Sequence, residues 1–187
     1  WPEPQMVSVA GMELEVRDYS GHNVLRIQDE MVLKIAEWNN WEKPIHFALT
    51  VPVSNRTGVD AYLATAGMVV TLRREKNPPV EEQRIEDLLY NTFQVRALLD
   101  STVYKDENTT RLLGNYRACV LQLALHYKDQ GNSEEMVKLM RWAEENIYMS
   151  WEGYYTAADH LSAAGEHEIA AEYLHKSTDE FIKLYGT

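Results

Sequence analysis

Cysteine is almost absent from this sequence, in which Cys119 is the only one among 187 residues. A single thiol cannot form an internal disulfide, and it leaves the redox compartment undecided. Its apolar neighbours Val120 and Leu123 indicate a buried helical face, and no base that could activate a thiol lies nearby in the sequence. We therefore expect Cys119 to be a packed structural residue and not a nucleophile.

Long hydrophobic runs and basic clusters are also missing. No apolar stretch approaches the ~20 residues that a membrane-spanning helix needs, and no cluster of Lys and Arg exceeds the doublet Arg73-Arg74. The formal net charge is −11, whereas a nucleic-acid-binding protein needs a basic face that neutralises phosphates. This charge balance argues against binding to nucleic acid or to an anionic membrane surface.

Motifs for catalysis and for metal binding are absent as well. The chain contains no Gly-rich phosphate loop, no HExxH, no paired CxxC and no G-x-S-x-G. We expect it to be non-catalytic, with no cofactor and no metal site. It begins at Trp1-Pro2-Glu3-Pro4 without an initiator methionine or a signal peptide, so we expect a fragment of a longer protein.

What the sequence does contain is two halves with different hydrophobic periods, which predict an α+β fold class. The segment at 74–87, REKNPPVEEQRIED, separates them, because Pro78-Pro79 cannot continue a helix or a central strand. We predict a small α/β domain over residues 1–77 and an all-α domain over residues 82–187.

The first half mixes helical and strand-like periods. Four apolar residues at spacings of four, four and three predict a helix over 24–39 that buries this apolar stripe: Ile27, Met31, Ile35 and Trp38. Alternation after Pro44 predicts a strand with one apolar face, formed by Ile45, Phe47, Leu49 and Val51. A short helix over 59–66 and a second strand over 68–72 follow, and we expect a parallel crossover between the two strands. Upstream, MVSVAGMELEV predicts one or two further short strands.

The second half predicts five helices, over 82–99, 108–130, 133–147, 151–164 and 166–184. Gly131 and Gly165 lie 34 residues apart, which is the period of tetratricopeptide repeats. The positions of that repeat that require small or aromatic side chains are filled by Ala124, Ala143, Ala158 and Tyr127. Leu161 and Ser177 depart from the pattern in the second copy. We predict tetratricopeptide-like helical hairpins; the alternative is an unrelated helical bundle with a coincidental period.

The first helix of that half, over 82–99, has a specific expected role. We expect it to lie between the two halves and to bury its large apolar residues: Leu88, Leu89, Phe93 and Leu98. Asn108 and Thr109 are the expected N-cap candidates of the long helix that follows.

Stacked helical hairpins form a concave surface, and such a surface is suited to binding a protein or peptide partner. Five residues are expected to face it: Arg117, Gln122, Lys128, Tyr155 and Asp159.

A glycan site is the second hypothesis, with Trp41, Arg26 and Asp29 at an exposed junction where they would stack on and hydrogen-bond a sugar. Each of these residues also has a structural interpretation. Trp41 can cover the helix-to-strand junction with its N–H turned to solvent or to a carbonyl, and Arg26 with Asp29 can form an i, i+3 ion pair. A purely structural spacer is the third hypothesis.

Three segments together resemble a known family: VLRIQDEMVLKIAEWNNWEKPIHFALTV (24–51), GVDAYLATAGMVVTL (58–72) and VYKDENTTRLLGNYR (103–117). They are similar to the C-terminal soluble region of an uncharacterised bacterial family of polytopic membrane proteins. The N-terminal half of those proteins resembles GT-C glycosyltransferases of the protein O-mannosyltransferase class. Where the family has Arg-Pro-Ile-Tyr-Phe, this chain has Lys43-Pro44-Ile45-His46-Phe47, so the aromatic hydroxyl is lost.

The resemblance implies that the parent protein is a membrane-embedded transferase that uses a lipid-linked sugar donor. Its acidic catalytic residue would lie in the transmembrane half, and no catalytic residue carries over to the present chain. This chain would then be a periplasmic or extracellular appendage on a bacterial membrane. Its partner would be an acceptor protein, another protein, or the transmembrane half of the parent.

Overall fold

The computed structural model describes residues 5–16, 26–56, 58–100 and 102–186. The chain divides into two compact units, Trp1–Arg84 and Ile85–Thr187. Small antiparallel sheets occupy the first unit, and the second unit is helical apart from its connections. The predicted α+β class with a helical C-terminal region is therefore confirmed.

The first unit begins with two short strands, as the sequence predicts, and they pair as a β-hairpin. β1 (Gln5–Val9) pairs with β2 (Met12–Val16), and Val9 faces Met12 across the turn. The two turn residues, Ala10 and Gly11, have φ angles of +50° and +83°. Positive φ at both central residues is the geometry of a type I′ turn, whose backbone twist matches the right-handed twist of the two strands.

A three-stranded sheet follows, with the order β3–β5–β4 and antiparallel pairing throughout. Its strands are β3 (His46–Ala48), β4 (Leu63–Thr65) and β5 (Val69–Leu72). The expected parallel crossover is wrong. The expected helix over 59–66 is wrong too, since only a 3-10 turn, Asp60–Tyr62, precedes β4. Gly67, at φ +80°, reverses the chain so closely that residues 63–65 pair directly with β5 and must be extended.

The predicted alternation after Pro44 is confirmed, although the paired strand is short. Phe47 is buried, and Ile45, Leu49 and Val51 pack against the same core as partly buried residues. The core of this unit combines residues of both sheets with residues of the helix that separates them in sequence. Its buried members are Val9, Met12, Leu14, Leu33, Ala36, Phe47, Val59, Tyr62, Val70 and Leu72.

Helix α1 (Ile27–Asn39) forms where the sequence predicts a helix, but it buries the opposite face; residues 24 and 25 lie outside the described residues. Asn40 adopts the left-handed conformation and ends the helix. Leu33 and Ala36 face the core. The apolar stripe faces outward, with exposed fractions of 82% for Ile27, 50% for Met31, 48% for Ile35 and 73% for Trp38. The prediction that Trp38 packs inward is therefore wrong.

The first helix of the helical unit is shorter than predicted. α2 (Glu82–Asp87) continues only as a π-helical turn, Leu88–Thr92, and the backbone of Phe93 is extended. The helix therefore does not reach residue 99. Leu89 is buried at 1% exposure, but Leu88, Phe93 and Leu98 are only partly buried. The apolar residues expected on one helix face thus belong to a helix and to the irregular segment that follows it.

Four long helices complete the chain: α3 (Glu107–Gln130), α4 (Ser133–Asn146), α5 (Trp151–Ala163) and α6 (His167–Tyr185). They confirm the remaining predicted helices to within a few residues. Asp106, and not Asn108 or Thr109, caps α3, since its side chain accepts a hydrogen bond from the Thr109 N–H at 2.6 Å. Gly131 and Gly165 have positive φ angles in the two turns.

The contacts between these helices are those expected of two consecutive helical hairpins. α3 contacts α4, α5 contacts α6, and α3 also contacts α5. The small residues Ala124, Ala143 and Ala158 are buried, as is Tyr127. Ser177, which departs from the repeat pattern, is buried and donates its hydroxyl to the Trp151 carbonyl at 2.8 Å. A buried hydroxyl is tolerated here because it has found an acceptor.

An ion-pair network joins α4 to α6. Arg141 of α4 binds both carboxylate oxygens of Glu172 of α6, at 2.6 Å and 2.5 Å. Lys176 lies between Glu172, at 2.6 Å, and Glu144. The Arg141 and Lys176 hydrogen bonds lower the pKa of Glu172 to about 2.

Candidate functional site

The first candidate surface lies where α3 meets α5. Three of its five predicted residues are well placed to contact a partner. Tyr155 is 59% exposed and the Asp159 side chain is 76% exposed, one turn further along α5. Lys128 of α3 is partly exposed and lies close enough to His160 to lower its pKa, although burial is the larger cause. Two charges of opposite sign therefore stand close to the seam between the helices.

The other two predicted residues are held more tightly. Arg117 lies across α5, because a Cβ placed on Gly153 would be 2.6 Å from the Arg117 Cδ. Because Gly153 has no Cβ, the Arg117 side chain can pass over α5 at this position. Gln122 is only partly exposed, and its Oε1 atom is buried with no hydrogen-bond partner among the described residues. Gln122 therefore belongs to the helix packing more than to the accessible surface.

Local charge at this seam is partly balanced. The pKa of Glu152 is lowered, chiefly by the Ser150 hydroxyl and to a smaller extent by the positive charge of Arg117. Leu125 is an exposed apolar residue of α3, and it shares a helix face with Gln122 and Lys128 because it lies three residues from each. The surface thus presents an aromatic ring, an aliphatic side chain and separated charges, which suits contact with a polypeptide chain.

The second set of predicted residues does not form one site. Arg26 and Asp29 make a bidentate ion pair at 2.8 Å and 2.9 Å, and Arg26 also donates to the Ser54 carbonyl at 2.6 Å. Asp29 is 5% exposed. This is the structural ion pair that the i, i+3 spacing indicates.

Trp41 lies at the other end of the same helix. Since α1 has 13 residues, Arg26 and Trp41 are separated by roughly 20 Å along its axis. The three residues therefore cannot contact one sugar ring together. The indole N–H of Trp41 donates to the Ala10 carbonyl at 2.8 Å, which confirms the predicted role as a cover over the helix-to-strand junction.

Backbone strain marks the same junction. Asn40 and Trp41 have consecutive positive φ angles of +43° and +64°. Asparagine tolerates this region, but a bulky residue there is an outlier that the surrounding structure must enforce. The hydrogen bond from the Trp41 indole to the Ala10 carbonyl in the hairpin turn helps to hold this backbone conformation.

Beside Trp41 lies an open cleft of about 640 Å³. Nine residues line it: Asn40, Trp41, Glu42, Lys43, Pro44, Leu72, Arg73, Arg74 and Glu75. Arg73 is ion-paired with Glu81. Within the described part of the chain, neither the Lys43 ammonium nor the Arg74 guanidinium has an ion-pair partner. The cleft therefore combines an aromatic wall with two available cations.

The sequence by itself does not predict that Lys43 and Arg74 belong to one site. The doublet Arg73-Arg74 is visible in the sequence, but nothing there places it beside Lys43. The antiparallel register that sets His46 opposite Thr71 continues outward and brings Lys43 and Arg74 to the same end of the sheet. A parallel pairing would have separated them.

Other chemistry is not supported by the described residues. Within residues 5–16, 26–56, 58–100 and 102–186, no group of three or more His, Cys, Asp or Glu side chains is arranged to hold a metal ion. Burial raises the pKa of the Cys119 thiol to about 12, so it is not a nucleophile near neutral pH. In the same residues, no helix combines the length and the apolar character needed to cross a membrane.

Comparison of the chain with protein-family models, with curated proteins and with solved structures finds no match in any of the three.

Proposed function

We propose that this chain is a non-catalytic binding domain whose two helical hairpins, α3–α4 and α5–α6, hold a protein or peptide partner against the surface formed by α3 and α5. The contact between α3 and α5 is the observation that carries this proposal. In tetratricopeptide-like arrays the first helices of successive hairpins lie side by side and line the concave face. The 34-residue spacing of Gly131 and Gly165 supports the same arrangement.

The chemistry of the surface supports a polypeptide as the ligand. Tyr155 offers a rigid ring, and such aromatic residues carry much of the binding energy at protein interfaces. Arg117 and Asp159 offer hydrogen bonds and charges of both signs to a peptide backbone or its side chains. The surface does not present a cluster of lysines and asparagines, so a bound C-terminal carboxylate is not part of the proposal.

The family resemblance extends the proposal to the parent protein. The chain would be the periplasmic or extracellular part of a bacterial membrane protein related to GT-C glycosyltransferases, and the partner would be an acceptor protein or the transmembrane half of the parent. The gene sequence upstream of Trp1 tests this extension. Several apolar segments of ~20 residues are expected there, and their absence would contradict the assignment.

Affinity capture from a bacterial envelope extract tests the binding surface. The triple variant Arg117→Ala, Tyr155→Ala and Asp159→Ala should lose partners that the parent chain retains. A matched control carries three alanines at exposed positions of α6, Glu168, His175 and Asp179, and it should retain them. Circular dichroism verifies that both variants are folded. If both variants and the parent chain retain the same proteins, the surface is not used.

A glycan site at the cleft beside Trp41 is the second candidate. The observation in its favour is the strained Trp41 backbone next to an indole wall and the Lys43 and Arg74 cations. Such a cleft favours a saccharide that carries a carboxylate, because a carboxylate pairs with Arg in a bidentate manner.

Titration calorimetry with an acidic and a neutral oligosaccharide tests the cleft. The acidic sugar should bind the parent chain and lose affinity in Arg74→Ala, while Lys76→Ala, exposed but outside the cleft lining, serves as the control. Equal heats for both sugars, or none at millimolar concentration, would end this hypothesis.

A further inference from the structure

Helix α1 is apolar on two opposite faces, and the described residues of the chain cover only one of them. At 100° per residue, Leu33 and Ala36 point to one side of the helix and the apolar stripe points to the other. The stripe is Ile27, Met31, Ile35 and Trp38, with exposed fractions of 82%, 50%, 48% and 73%. We propose that two copies of this chain associate through this stripe as a two-fold symmetric dimer in which the α1 helices run antiparallel.

The size of the stripe is the first argument. Its four side chains leave roughly 500 Å² in contact with water, near the upper end for the largest apolar patch of a monomer. Two such stripes, together with the residues that flank them, would bury about 1,200 Å², which is the lower end for specific, stable interfaces. The stripe is therefore large enough for a dimer of moderate affinity.

The order of residues along the stripe is the second argument. A two-fold interface requires that if residue i contacts residue j, then j also contacts i. An axis that passes near residues 32 and 33 satisfies this condition with antiparallel helices. It sets Ile27 opposite Trp38 of the second copy, and Met31 opposite Ile35. Every member of the stripe then meets another apolar residue.

Charge complementarity is the third argument, and it selects the antiparallel arrangement. Glu30 and Lys34 lie on the same flank of the stripe, one turn apart. In the antiparallel register, Glu30 faces Lys34 of the second copy, and this pair occurs twice. Lys34 already pairs with Glu37 of its own helix at 2.8 Å, so the dimer extends an existing ion pair. A parallel two-fold arrangement would instead set this flank against the opposite flank of the second helix, which carries Gln28 and Val32, so neither charge would gain an ion pair.

This interface belongs to the first unit and is independent of the proposed binding surface on α3 and α5. Light scattering and sedimentation equilibrium over a concentration series measure the mass of the chain in solution and so test the proposal. We expect a dimer of the 187-residue chain at tens of micromolar. A chain that stays monomeric at several hundred micromolar would overturn the proposal.

Two kinds of variant test the register. Ile35→Glu should give a folded monomer, while Leu112→Glu, at an exposed apolar residue of α3, should leave the dimer unchanged. Lys34→Glu should weaken the dimer by roughly tenfold, because it replaces two attractive pairs by repulsive ones. The double variant Glu30→Lys with Lys34→Glu should restore most of the affinity.

Circular dichroism and thermal melting confirm that each variant is folded. A dimer that survives Ile35→Glu, or a double variant no tighter than Lys34→Glu alone, would refute the antiparallel α1 interface.

Discussion

Truncation of Leu89 should destabilise the helical unit far more than truncation of Phe93. Leu89 is 1% exposed, and its replacement by alanine removes three methylene equivalents, worth about 2.4 kcal/mol of transfer free energy. The cavity left behind adds to this loss, so we expect about 3 kcal/mol for Leu89→Ala. Phe93 is only partly buried and makes an edge-to-face contact with Tyr116 at 5.3 Å. Phe93→Ala should therefore cost about 1–2 kcal/mol.

Equilibrium urea unfolding, followed by far-UV circular dichroism, measures both changes in the free energy of unfolding. The comparison is informative because one long helix over 82–99 that buried both side chains would make the cost of Phe93→Ala at least as large as that of Leu89→Ala. If Leu89→Ala is as stable as the parent chain, or if Phe93→Ala is the less stable of the two, then the π-helical turn and the core around it are placed wrongly. Equal m-values for the variants and the parent chain are required for this comparison.

Three further predictions concern an ion pair, two glycines and the thiol. Glu172→Gln should destabilise the chain by only about 0.5–1 kcal/mol at pH 7, because the pair with Arg141 is more than a third exposed. Since the folded-state pKa of Glu172 is depressed, this difference should shrink as the pH falls below about 4. Urea unfolding at several pH values measures it. Gly58→Ala should lower the melting temperature more than Gly131→Ala. Both glycines have positive φ, but only at position 58 would a Cβ meet a backbone oxygen of β2, at 2.6 Å. Equal melting temperatures would contradict this. Cys119 should react with a thiol reagent only after unfolding, as burial raises its pKa, and rapid labelling of the native chain would show that it is accessible.

Local signals in the sequence determined much of the helical unit. The 3.6-residue period of α3 to α6, their turn glycines and the small repeat positions at Ala124, Ala143 and Ala158 are all visible in the sequence. These features depend on residues three to five positions apart, so a short window contains the information that forms them. Local alternation likewise indicates the short strands β1 and β2, but not their pairing. The N-cap Asp106 lies two and three residues before the predicted candidates, Asn108 and Thr109, and side-chain preferences do not separate Asp, Asn and Thr sharply enough to choose among these positions.

Long-range choices were decided only by the tertiary structure. The apolar stripe of α1 was identified correctly as a stripe, yet Leu33 and Ala36, and not Trp38, face the core. Periodicity locates an apolar face, but which of two apolar faces is buried depends on the shape of the sheets that α1 meets. The direction of the β3–β5 pairing is likewise non-local, and it alone brings Lys43 beside Arg74 at the cleft. Both outcomes depend on contacts between segments distant in sequence, and the free energy of those contacts appears only when the surfaces meet.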